Sequence, residues 1–134
     1  MPRIDIWFLL LATLCLAVGV SMGIVMGITQ DFSLAPVHVH VNLVGWASLA
    51  LFGLTYRAWP ELHVGGWARA HFFLTAPTAL LFPLGIYIVM RYQHPLLAII
   101  TSLLWLSGVL VFLGKLVCLA RAPRATLAEK MLAG

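Results

Sequence analysis

The chain has 134 residues, of which 63% are hydrophobic and 9% charged, with a formal net charge of +4. Soluble globular domains carry about 25% charged residues, so this composition excludes one and points to an integral membrane protein. The basic residues stand at the ends of apolar runs, where they act as a topology signal and give no reason to invoke nucleic acid.

Four runs are long enough to cross a bilayer, which takes about 20 mostly apolar residues. They are expected near 6–28, 37–59, 67–90 and 96–117. The first follows Asp5 without a small-residue cleavage pattern, so it reads as a retained helix and not a secretory signal. It carries Gly19, Gly23 and Gly27, a ladder that lets a second helix approach closely in lipid, within the chain or between chains. The second opens on PVHVHVNLVGW, with His38, His40 and Asn42 in its first turns. Farther on, Gly45 and Gly53 leave room for a neighbouring helix or a flat ligand. The third contains Pro77 and Pro83, which lack a backbone donor and predict a bend, with Thr75 and Thr78 covering part of the lost bonding. Short connections (QDFSLAP, PELHVGG and RYQHP) make consecutive helices antiparallel neighbours. The expected fold is all-α: a four-helix up-down membrane bundle, with 121–134 as a short basic tail at the headgroups.

Arg3, Arg57, Arg69, Lys115, Arg121, Arg124 and Lys130 fall at one end of this bundle and only Arg91 at the other. The positive-inside rule then puts both termini in the cytoplasm of a bacterium, with the chain in its inner membrane. Cys15 and Cys118 have no CxxCH haem-attachment motif and read as small buried hydrophobes, not a disulfide. Any haem would be held non-covalently.

The same topology sorts the histidines. His38, His40 and His94 lie near the outer surface, His63 and His71 near the inner one. Ionisable groups within a membrane are costly and mark function by default; the bland alternative is imidazoles wetted by the interface. His40 and His71 differ in depth by roughly 20 Å at helical rise, so one cofactor cannot join them within a chain. His71, in WARAHFF, reads as a hydrogen-bonded interfacial residue and His63 as a loop residue. His38 and His40 are two residues apart, a rotation of about 200° on a helix. They therefore aim in nearly opposite directions. A chelating pair would be spaced by four, as in HExxH. The spacing suggests two separate partners, one on each side of the helix.

The run HVNLVGWASLALFGLTYRAWPE resembles the haem-binding second helix of the haem-copper oxidase superfamily, particularly the nitric oxide reductase large subunit. The matching positions are His40, Asn42, Gly53, Tyr56 and Pro60, within a run that spans about a sixth of the chain. The resemblance implies that His40 is an axial ligand of a low-spin haem b. HVH also resembles the HxH of the family's tenth helix, whose two histidines ligate different haems. Family large subunits hold twelve helices in three arcs of four, so this chain looks like one arc, and three copies would rebuild the ring. His38 of one copy would then face His40 of the next across a haem (iron), with Asn42 and Gly45 beside it. Arg91 and His94 would neutralise haem propionates, or simply belong to a loop. The family's copper site needs more histidines than the outer side offers, where His94 is the remaining one. The leading expectation is a bis-histidine electron-transfer cytochrome, homotrimeric, taking electrons from a quinol or periplasmic donor. Alternatives are a haem or copper handling protein for a respiratory oxidase, an oxygen or nitric oxide reductase or sensor, and an accessory subunit without cofactor.

Overall fold

The computed structural model describes residues 3–63 and 65–121. Among them are four long helices: α1, Ile4–Thr29; α2, Ala35–Ala58; α3, Trp67–Tyr92; and α4, Leu96–Arg121. A short 3₁₀ turn, Pro60–His63, links α2 to α3. All four helices are long and apolar enough to cross a membrane. Their outward faces carry exposed leucines, isoleucines and valines, such as Leu103, Leu106, Leu110 and Leu113 on α4. In water such a surface would associate; in lipid it matches its solvent. The basic tail expected at 121–134 lies outside the described residues beyond Arg121, as do Arg124 and Lys130.

The helices pair as two hairpins, α1 with α2 and α3 with α4, and α3 also packs on α1 and α2. One end of the bundle, the basic end, holds the start of α1, the end of α2 and the start of α3. The far end holds the loops at 30–34 and 93–95. Both loops begin on a glutamine in the left-handed region, Gln30 at φ 53° and Gln93 at φ 59°. That C-terminal position ordinarily goes to glycine or asparagine.

The core is concentrated at the basic end. Ile4 and Phe8 of α1, Leu49, Phe52 and Tyr56 of α2, and Ala68 and Phe72 of α3 are buried together. Phe8 stacks on Tyr56 at 5.8 Å and 7° and meets Phe72 edge-on at 5.0 Å. Each helix supplies residues three or four apart, so the aromatic rings share one face.

Glycines set the helix contacts higher up. A β-carbon on Gly19 would stand 2.6 Å from the Asn42 amide, and one on Gly45 would stand 2.7 Å from Cys15 Sγ. A β-carbon on Gly53 would stand 2.9 Å from the Asp5 carbonyl. The room left by Gly45 and Gly53 is thus taken by α1. Gly27 meets nothing within 4 Å, so the ladder works as a contact over its first two steps.

Two local expectations are corrected, and a third difference is a feature that the sequence did not address. Cys15 is buried, but Cys118 is exposed on α4, where the small thiol adjoins the exposed Val117 on the apolar outward surface. Thr75 donates to the His71 carbonyl at 2.7 Å, and Thr78 donates to the Leu74 carbonyl. These are not the carbonyls that Pro77 and Pro83 deprive, which belong to Phe73 and Ala79. A threonine hydroxyl reaches the carbonyl four residues before itself, and neither proline sits in phase with that. The third difference is in α2, which is π-helical from Val41 to Ser48. Ser48 follows the wider register and donates to the Leu43 carbonyl, five residues earlier, at 2.7 Å.

Candidate functional site

His38 and His40 stand on the α-helical first turns of α2, before the π run begins. Pro36 is the second residue of the helix, in the first turn, where its missing N–H leaves no bond unmade. The two half-buried rings diverge. His38 turns to α1, where a β-carbon on Gly23 would stand 3.2 Å from its Cε1. His40 turns to α3 and meets Phe82 edge-on at 5.2 Å. The opposed aim read from the spacing is present, and one face of the pair is closed by the chain's own first helix.

The hydrogen bonds separate the two imidazoles further. His40 Nδ1 lies 2.8 Å from the Pro36 carbonyl. A carbonyl only accepts, so Nδ1 carries the proton and Nε2 of the neutral ring keeps a lone pair. That backbone bond is the one that orients histidines for metal ligation through Nε2. His38 has the reverse arrangement. Asn42 Nδ2 donates to the His38 carbonyl at 2.9 Å and faces His38 Nδ1 at 3.4 Å. An amide nitrogen only donates, so Nδ1 accepts and the proton of the neutral ring is on Nε2. Asn42 therefore orients His38, not His40, and is itself seated against Gly19.

The remaining site residues scatter. Gly45 is buried against Cys15. Arg91 is exposed and lines a cleft of about 320 Å³ with Ser33, Leu34, Tyr87 and Met90. His94 is exposed in the loop after α3. Among the described residues, no group of three or more His, Cys, Asp or Glu side chains could hold a metal ion.

At the basic end His71, expected at the interface, is fully buried with 0% exposure. Its Nδ1 shares a 3.1 Å hydrogen bond with the Tyr56 hydroxyl, and its Nε2 has no partner. Phe112 stacks on the ring at 5.0 Å, and Phe52 and Phe8 close in at 4.6 and 5.4 Å. The aromatic enclosure leaves no face open for a planar cofactor. His63, expected as a loop residue, donates from Nε2 to the Tyr56 carbonyl at 3.1 Å. Nearby, Asp5 is buried beside Arg57 at 3.4 Å. The spacing of Ala68, His71, Thr75 and Ala79 carried a signal for this burial, since all lie on one helical face.

No family model, curated protein or solved structure matches the chain. The likeness to the haem-copper oxidases accordingly rests on the residues quoted above.

Proposed function

We propose that this is a multi-pass protein of a bacterial inner membrane, with both termini cytoplasmic, that binds haem b through His40 and carries single electrons. The observation that supports this most is the bond from His40 Nδ1 to the Pro36 carbonyl, which keeps Nε2 as a lone pair in a fixed direction. An isolated metal ion usually needs three or four protein ligands, and the described residues offer no such cluster. A haem brings four nitrogens of its own and asks the protein for one or two. The donor set therefore fits haem better than copper. An iron bound by two imidazoles has no open position and supplies one-electron transfer.

His38 of the same chain aims to the other side of α2, so the opposite axial nitrogen comes from a second copy. In a three-copy ring of four-helix units that nitrogen is His38 of the neighbour, which must first leave its seat against Gly23 of its own α1. To offer a lone pair from Nε2, His38 must move its proton to Nδ1 and give up the Asn42 contact. Phe82, edge-on to His40, fixes the plane of the ligating ring. Arg91 gives the far end a guanidinium suited to a propionate. The electron donor is a quinol or a periplasmic protein.

The test is the reduced-minus-oxidised visible spectrum of the purified protein, with haem per chain and oligomer mass. Wild type should give a sharp low-spin spectrum indifferent to carbon monoxide, and His40→Ala should lose it. Full haem occupancy in His40→Ala overturns the haem assignment. Full occupancy in His38→Ala overturns only the sharing between copies.

A further inference from the structure

A second site stands at the basic end, away from the histidines of α2 and independent of the haem assignment. A cavity of about 840 Å³ opens between the start of α1, the end of α2 and the start of α3. Arg3, Arg57 and Arg69 line it, with Asp5 as its carboxylate and His63 beside them. Three guanidinium groups thus face one carboxylate. Asp5 engages a single nitrogen of Arg57, at 3.4 Å, and the Arg57 side chain is 68% exposed. A guanidinium carries five N–H donors in a planar fork, so most of the donor capacity around the cavity is not spent on Asp5.

The backbone adds to the same field. Gly65 and Gly66 also line the cavity, and α3 begins there without a side-chain cap and without an acidic residue in its first turn. The first N–H groups of a helix lack intrahelical partners and carry partial positive charge. Gly65, at φ 81°, holds a conformation that a side chain would strain. No β-carbon at Gly66 narrows the approach to these amides.

Depth decides what could fill such a cavity. Trp7, Trp59 and Trp67 all belong to this end and all are exposed. Exposed tryptophans of a membrane protein settle at the headgroup level, which puts the cavity at the depth of lipid phosphates. A phosphate oxygen set matches guanidinium forks and helix N–H groups better than a choline or an acyl chain would.

We propose that this cavity binds the phosphate of an anionic phospholipid headgroup, held by Arg3, Arg57 and Arg69 at the start of α3. Its formal role is a structural lipid site that pins the three helix ends together at one leaflet.

The test uses delipidated full-length protein in a neutral detergent, titrated with phosphatidylglycerol or phosphatidylcholine in mixed micelles. Tryptophan emission reports binding, since Trp67 adjoins the cavity. Wild type should prefer the anionic lipid, and the preference should weaken as salt rises. Removing two charges in Arg3→Gln/Arg69→Gln should cost roughly 30-fold in affinity for phosphatidylglycerol, with unchanged helical circular dichroism. Arg91→Gln, at the far end, should leave that affinity as in wild type. Equal binding of both lipids, or equal binding by wild type and the double variant, overturns the site. Displacement of the lipid by equimolar inorganic phosphate overturns the lipid as its source.

Discussion

The two ends of this bundle treat histidine in opposite ways. At the basic end His71 is sealed among Phe8, Phe52 and Phe112 and bonded to Tyr56. At the far end His38 and His40 are half-buried, each against a different helix, and each has one ring nitrogen fixed by a neighbour. An imidazole enclosed on both faces serves packing, whatever its chemistry. One held by Nδ1 alone, with Nε2 left over, is equipped to ligate. Burial separates these roles; the residue type does not, and neither does a hydrogen-bonded Nδ1, since His71 also has Nδ1 bonded and Nε2 without a partner.

The comparison is sharpest if each end can be broken without the other. Phe8 is fully buried and touches Tyr56, Phe52, Phe72 and His71. Phe8→Ala should therefore destabilise the protein by about 3–5 kcal/mol, the usual cost of deleting a buried phenyl ring. Denaturation in mixed micelles followed by circular dichroism measures it. Under the proposed haem assignment, haem per folded molecule should match wild type, because the ring contacts of Phe8 are with Phe52, Tyr56, His71 and Phe72 and not with His38 or His40. A loss of haem in the folded fraction would show that the two ends are coupled.

Next in size is a test along a single helix. Gly19 and Gly27 are indistinguishable in the sequence ladder, yet Gly19 is closed by Asn42 and Gly27 faces nothing within 4 Å. Gly19→Ala should cost about 1–3 kcal/mol, as overpacking does, and should displace Asn42 from His38. Gly27→Ala should instead stabilise by up to about 1 kcal/mol through helix propensity. Equal effects at the two positions would mean that the contact of α1 with α2 is not where the structure has it.

These cases show how far the sequence could be read. Apolar run length gave the four helices, because bilayer thickness constrains it directly. The divergence of His38 and His40 was legible because helical rotation depends only on spacing. The partner of each was not. Gly23 and Phe82 lie on other helices, and the Pro36 carbonyl matters only once the His40 rotamer is set. The pairing of Tyr56 with His71 joins residues 15 apart across a turn, and only the packed hairpin brings them together. The π run of α2 left no mark that the sequence reading could use, since the same apolar residues suit either hydrogen-bond register. Thr75 and Thr78 look suited to rescue carbonyls lost to proline, but a hydroxyl's reach is fixed at one turn behind itself.

The smallest expected effect concerns the loop that feeds the histidine turns. The Asp31 carboxylate accepts the Ser33 amide at 2.9 Å, and that bond holds its carboxyl below the ordinary carboxylate range. Beyond it, the Leu34 carbonyl takes the His38 amide at 2.9 Å, so this turn sets where α2 begins. Because the folded value is depressed, the stabilising contribution is present at neutral pH. It is lost as pH falls through the ordinary carboxylate range toward the folded value, below about pH 4. Asp31→Asn removes the charge while keeping an acceptor oxygen. The difference in stability between wild type and Asp31→Asn should be small and in favour of wild type at neutral pH, and it should vanish in acid. Urea titrations of both proteins in the same micelles across that range measure the difference directly. A gap that persists unchanged at the acid end would mean that the carboxylate charge plays no part in holding the turn, and that the amide geometry alone sets the start of α2.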